Sequence, residues 1–332
     1  MERIQVTPIA FESLGVRSMC TSVETPDVRI LIDAGVALGQ RFRLLPHPEE
    51  YEALRKSRDR IHKCARNADV VTVSHYHHDH FTPNFVDTVW LASNSREAEA
   101  IYKGKTVILK DVRGAINPSQ RRRGWIFQTF CRKIGSKLLV ADSKKFEFGN
   151  TTVRFSSPLP HGEIGSELGW VLATLVEHGS EKFIHASDIE GPMSRSTLEF
   201  ILGEKPSEVI IGGPPTYLAG LRVPQSSIRA GLDSLQVITS RIPLVIIDHH
   251  LLRDQESMHE LAKLSTTAKS FGNQVVTAAE YLGEPLRLLE ANRKALYENE
   301  PPTRQFMKWT KLAKEKQQET APPLQQKRRK RG

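Results

Sequence analysis

Cysteine is nearly absent: Cys20, Cys64 and Cys131 are the only three in 332 residues. They are odd in number, far apart and in no CxxC spacing, which excludes a disulfide framework and a thiolate metal site. Isolated small side chains in or near the core are the expectation. No apolar run approaches the ~18 residues that would suggest a membrane span. The opening residues MERIQVTPIAFESLG show no basic stretch followed by an apolar one, so no secretory leader is expected and the expected location is cytoplasmic. A GxSxG elbow is missing, as is any repeat of solenoid length.

Acidic residues are scarce at one end. Ten of the 47 Lys and Arg but two of the 38 Asp and Glu lie in Thr303–Gly332, so the first 302 residues are close to neutral. The net charge of +9 therefore describes the tail, and by itself it does not make the body a nucleic-acid binder. Residues 1–302 are expected to form the catalytic domain and 303–332 a solvated, disordered basic tail, in which Phe306–Lys316 could form a helical turn.

Short β-branched segments open the chain at Ile4–Ile9, Val16–Thr25 and Val28–Asp33, followed by a polar helix at Pro48–Arg66. Asp69–Ser74 is a β run that stops at a histidine cluster. Helices are expected at Asn84–Ala92 and Ser95–Lys103, and a strand at Thr106–Leu109. Strands at Lys145–Phe148 and Thr152–Ser156 flank a Gly149-Asn150 turn. The last third alternates, with strands at Gly169–Glu177, Lys182–His185, Glu208–Ile211 and Leu244–Asp248. Its helices are expected at Ser194–Leu202, Gln225–Thr239 and Gln255–Ser270. Halves of this kind suit two sheets sandwiched between helices.

Four of the twelve histidines fall within six residues, in His75-Tyr76-His77-His78-Asp79-His80. On an extended segment i and i+2 point the same way, so His75 and His77 can grip one metal. After a turn, Asp79 and His80 can face a second. Neutral imidazoles with a carboxylate suit zinc, and also iron or manganese. A surface histidine-rich loop is the bland alternative, and the spacing weighs against it.

This run matches the HxHxDH signature of the metallo-β-lactamase superfamily, which the chain resembles along most of its length. The resemblance implies an αββα four-layer sandwich and an archaeal branch described only as predicted hydrolases. It also implies roles for the remaining motifs. Asp33 would support the histidine loop without binding metal directly. His161 would complete the first metal's ligands, and Asp188 would bridge the two ions. The second metal would be closed by His249 or His250. The string His249-His250-Leu251-Leu252-Arg253 resembles the ribonuclease Z closing motif, which favours His249 and leaves His250 in a supporting place. His78 falls where the family leaves the position open.

The implied reaction is hydrolysis by a metal-bridging hydroxide, held in place by Asp79 and Asp188. The superfamily's diiron oxidoreductases carry an acid where this chain has His77, so hydrolysis is preferred over redox chemistry. For substrate, Asn117–Lys137 offers Arg121, Arg122 and Arg123 with interleaved aromatics, which suits phosphate and bases. An amphipathic helix burying those aromatics explains it equally well. Tyr217, after the Gly212-Gly213-Pro214-Pro215 turn, is a second candidate pocket wall, with glycine permitting close approach of a ligand. The expected substrate is a phosphoester, with nucleic acid attracted through the tail. Two alternatives stand beside it: a small-molecule hydrolase acting on a thioester, lactone or cyclic phosphate, and a non-enzymatic nucleic-acid binder with a structural metal. Only 27 residues separate His161 from Asp188 and 61 separate Asp188 from His249, which leaves no room for a nuclease-type inserted domain.

Overall fold

The computed structural model describes residues 3–324. The first sheet is built in chain order from β1 (Gln5–Phe11), β2 (Met19–Glu24), β3 (Arg29–Ile32), β4 (Val70–Val73), β5 (Thr106–Leu109) and β6 (Lys137–Val140). β1 to β3 pair antiparallel, and β3 to β6 run parallel. The second sheet contains β7 (Lys145–Phe148) and β8 (Thr151–Phe155). A small ribbon of β9 (Leu159–Pro160) and β10 (Trp170–Val171) lies apart from it. The sheet is completed by β11 (Thr174–His178), β12 (Glu181–His185), β13 (Glu208–Gly212), β14 (Leu244–Asp248) and β15 (Gln274–Val276). Its order is β15-β14-β13-β12-β11-β8-β7, with β12 to β15 parallel.

Two-residue periodicity separates three cores. In β3, Ile30 and Ile32 face the second sheet, whereas Leu31 joins the helix-side core. In β14, Ile246 faces inward between the sheets, and Val245 and Ile247 face the other way. Against the first sheet pack α1 (Pro48–Asn67), α2 (Ser95–Tyr102) and α3 (Pro118–Lys133). Against the second pack α4 (Arg195–Glu204), α5 (Gln225–Arg241) and α6 (Ser257–Ser270). The result is an αββα sandwich, as expected. Four short helices follow: α7 (Ala278–Tyr281), α8 (Arg293–Asn299), α9 (Arg304–Trp309) and α10 (Lys314–Glu319). No helix among the described residues is long and apolar enough to cross a membrane.

Three expectations are corrected. Asn84–Ala92 is not a helix. Asp87 Oδ1 accepts the backbone N–H groups of Val89, Trp90 and Leu91, and a bridge between Asp87 and Ser93 closes the segment as a turn. The Gly169–Glu177 strand is broken into β10 and β11, and β10 pairs with β9 instead of the main sheet. The chain also does not leave the folded body at 302. Phe306 and Trp309 are buried in the first helix-side core, with ring centroids 6.0 and 5.8 Å from Tyr51 of α1. Thr88 Oγ1 then donates to Gln317 O at 3.0 Å. Two apolar anchors suffice to dock a segment whose composition is otherwise polar. The final run of the expected tail, Lys327–Gly332, lies outside the described residues.

Candidate metal centre

Parallel strands of both sheets bring their carboxyl ends to one edge of the sandwich, and the histidines gather there. Asp33 follows β3, His75 follows β4 after Ser74, Asp188 follows β12, and His249 follows β14. Ser74 Oγ lies 2.8 Å from Ser187 Oγ, which ties the two sheets together directly beneath the site.

The alternation in the histidine run holds. Tyr76 turns into the core, where its hydroxyl donates to Lys110 O at 2.6 Å, while the rings of His75 and His77 stand 4.7 Å apart on the other side. Gly124 of α3 packs on the Tyr76 ring so closely that an added Cβ would stand 2.6 Å from it. His75, His77, His161 and Asp188 bring ligand atoms within 4.8 Å of one another, and so do Asp79, His80 and His249. Asp188 joins the two sets. Its Oδ2 lies 2.9 Å from His161 Nε2, 3.6 Å from His80 Nε2 and 3.6 Å from His249 Nε2.

A metal fits this donor set. His75 Nε2, His80 Nε2 and Asp188 Oδ1 are buried and have no hydrogen-bond partner. Each such orphan costs roughly 1–3 kcal/mol if nothing satisfies it, and a cation would satisfy all of them. Burial and the neighbouring imidazoles hold His75 and His77 well below the ordinary histidine pKa, in the neutral form that ligates. Burial works the other way on Asp79, but His80, His249 and Arg253 keep it well below the ordinary carboxylate range.

Supporting contacts come from distant parts of the chain. Asp33 accepts from Ser74 N at 2.8 Å, Ser74 Oγ at 2.6 Å and Ser187 Oγ at 3.0 Å, and it faces His80 Nδ1 at 2.9 Å. Burial alone would raise the Asp33 carboxyl, but His80 and Ser74 bring it below its ordinary value. Glu12 accepts from Arg253 Nε at 2.8 Å, and Arg253 Nη2 lies 3.3 Å from His249 Nδ1. Burial, with Arg253 beside it, pushes His249 down to about 3. Asp33, Ser187, Glu190 and His249 all take left-handed backbone, with φ of 51°, 56°, 56° and 67°. Non-glycine residues rarely do so, and here the strain gathers around one site.

His249, not His250, comes within reach of Asp79 and His80, at 3.6 Å from Asp79 Oδ2. His250 instead places Nε2 3.4 Å from Asp188 Oδ2 and Nδ1 3.5 Å from Glu190 Oε1.

No family model matches the chain. It is 42% identical over 294 residues to a UPF0282 protein of Methanopyrus kandleri, covering 88% of this chain and 99% of that one. The chain belongs to the UPF0282 family. A UPF0282 protein of Thermococcus sibiricus is likewise 42% identical over 299 residues, covering 90% of this chain and 95% of the relative. Among solved structures, this UPF0282 chain is similar to the metallo-β-lactamase fold protein YhfI from Bacillus subtilis. That pair has a TM-score of 0.49 and 17% identity, covering 82% of this chain and 95% of that chain. A possible metal-dependent hydrolase from Veillonella parvula also has a TM-score of 0.49, at 14% identity, covering 79% and 94%. The metallo-β-lactamase fold of the UPF0282 chain rests on its own layers and sheet orders.

The remaining sequence candidates scatter. His78 belongs to none of the donor groups, and its ring packs 5.5 Å from Phe81 and 5.4 Å from Phe85. Arg123 Nη1 donates to Tyr76 O at 3.0 Å, within the histidine run. Arg121 donates to Val112 O, and Arg122 is exposed. Phe127 and Phe130 are buried but Trp125 is 52% exposed, so α3 is only partly the amphipathic helix of the bland alternative. Tyr217 carries the Arg41 guanidinium 4.0 Å above its ring. The glycines before it serve packing: a Cβ on Gly213 would stand 2.6 Å from Leu251 Cβ. Sequence reasoning missed Glu12, Ser74, Ser187 and Glu190. Nothing in their local sequence marks them, because each is defined by a partner on another strand.

Proposed function

We propose that this protein is a binuclear metal-dependent hydrolase acting on a phosphoester. The observation that supports this most is the set of buried, partnerless imidazole nitrogens surrounding Asp188. His75, His77 and His161 would hold one ion, Asp79, His80 and His249 the other, with Asp188 between them. Two divalent ions bound there would lower the pKa of a shared water and polarise the substrate oxygen; zinc suits the donors best.

The chain's own groups have distinct tasks. Asp79, ionised and partly exposed, would accept a hydrogen bond from the attacking water and orient it. Asp33 fixes the His80 ring from behind, and Glu12, held by Arg253, places Oε2 3.8 Å from His249 Nδ1. Arg123, half-buried beside the loop, offers a positive charge to an anionic substrate group. That charge favours a phosphoester over a neutral lactone or thioester. Arg121, Arg122 and Tyr217 would make outer contacts with a larger substrate. The basic run at Lys327–Arg331 would attract nucleic acid through counterion release, with binding falling steeply as salt rises.

The test is a panel of bis(p-nitrophenyl) phosphate, an acyl thioester and a homoserine lactone, each offered to zinc-loaded protein. Turnover of the phosphodiester is expected. Turnover of the lactone or thioester alone would move the assignment to small-molecule acyl hydrolysis.

A further inference from the structure

After β12 the chain turns through Ala186-Ser187-Asp188-Ile189-Glu190, with left-handed backbone at both Ser187 and Glu190. Asp188 lies among the imidazoles. Glu190 is 2% exposed and lies behind two of them. Its Oε1 is 3.6 Å from His161 Nδ1 and 3.5 Å from His250 Nδ1. Both nitrogens are buried without a hydrogen-bond partner.

A histidine that gives Nε2 to a metal carries its proton on Nδ1, and that proton needs an acceptor. His80 has Asp33 for this, and His75 has Ser74 Oγ at 2.9 Å. For His161, Glu190 is the carboxylate in place. One carboxylate oxygen has two acceptor positions, so Oε1 can serve His161 and His250 together.

The carboxylate is seated against the backbone beside His161. A Cβ built on Gly162 would stand 2.4 Å from Glu190 Oε2, and Gly162 also has φ of 77°. Glycine at 162 therefore leaves the space that Glu190 fills. With Nδ1 of both rings turned to Glu190, both Nε2 atoms face Asp188 Oδ2, at 2.9 Å from His161 and 3.4 Å from His250.

We propose that Glu190 is a positioning residue that accepts the Nδ1–H groups of His161 and of His250 as hydrogen bonds, and so aims both rings at the metal centre. This rests on the reading of the cluster as a metal site. It gives His250 a defined place on the lip of the centre, where its side chain is 14% exposed, as an imidazole directed inward to Asp188.

The test uses the full chain, metal-free and then titrated with Co²⁺, with ion stoichiometry from elemental analysis and ligand geometry from the visible absorption of the cobalt. Wild type is expected to bind two ions. Glu190→Ala should weaken one of them by ~10–100-fold and shift its absorption bands. Glu190→Gln keeps an acceptor oxygen and should fall between. Gly162→Ala leaves the carboxylate in the sequence but displaces it, and should move affinity and spectrum in the same direction as Glu190→Ala. If Glu190→Ala does not fold, Glu190→Gln and Gly162→Ala decide the matter. Two ions bound by wild type, with unchanged affinity and spectrum in the folded variants, would overturn the role of Glu190 and leave the metal reading standing. No ion bound by wild type would overturn both.

Discussion

Asp33 Oδ2 and His80 Nδ1 stand 2.9 Å apart, both fully buried, one at the end of β3 and the other at the end of the histidine run. The same carboxylate collects Ser74 and Ser187, so it fixes the strand ends of both sheets and the tautomer of His80 at once. Asp33→Ala is expected to lower metal affinity by ~10–100-fold, because the ring loses the acceptor that aims it. Asp33→Asn, which keeps an acceptor oxygen, should lose less. Elemental analysis after dialysis against a graded chelator series checks the order; equal retention in both variants would contradict it.

Metal binding should release protons. In the ion-free protein burial works against the His80 cation, but the Asp188 and Asp33 carboxylates beside it push its pKa up to about 10. At pH 7 the ring is therefore protonated on both nitrogens. An ion at Nε2 must displace one proton, so affinity should rise as pH rises toward 10. Calorimetry in buffers of different ionisation heat reads the count. Ion binding with no proton released at pH 7 would show that this histidine is not displaced.

Asp79→Asn should cut turnover on the order of 100-fold or more while the fold survives. The residue sits on a turn with its side chain partly exposed, so nothing in the cores depends on it. Circular dichroism and kcat on a small phosphodiester separate the two effects. A near-normal kcat would remove the water-orienting role from Asp79.

Arg123→Ala should raise KM for an anionic substrate more than it lowers kcat, since the guanidinium is placed to bind charge beside the loop and makes none of the donor contacts. Arg122→Ala, altering an exposed side chain, should change either constant little. The comparison is a pair of steady-state curves, and equal effects would mean that α3 contacts substrate diffusely.

Truncation should separate two parts of the basic C-terminal segment. Ending the chain after Leu324 is expected to leave the melting temperature unchanged. Ending it after Pro302 removes Phe306 and Trp309 from beside Tyr51, and burial of one such aromatic is worth ~3–5 kcal/mol against alanine. The shorter chain should melt several degrees lower. Identical melting curves for both would show that the 303–324 segment is not docked in solution.

The chemistry of the centre was legible in one dimension because the strongest signals are local. Six consecutive residues carry four histidines and an aspartate, and their alternation with Tyr76 follows from the two-residue period of an extended segment. Asp33, Asp188 and His249 were indicated by the resemblance to the metallo-β-lactamase superfamily, whose remaining motifs they match in order. Local competition hid other elements. Asp87 binds three backbone N–H groups and turns the stretch into a closed loop.

Sequence alone thus offered the candidate donors down to the choice between His249 and His250, the layer architecture and the near-neutral body with its basic end. Only the tertiary structure decided which of His249 and His250 stands beside Asp79, because adjacent residues have the same composition and differ only in the direction a left-handed backbone gives them. It also placed Glu12 and Glu190 behind the histidines, and Phe306 and Trp309 in the core. Each of these depends on a partner brought close by the pairing and packing of both sheets, and spacing along the chain carries no record of that proximity.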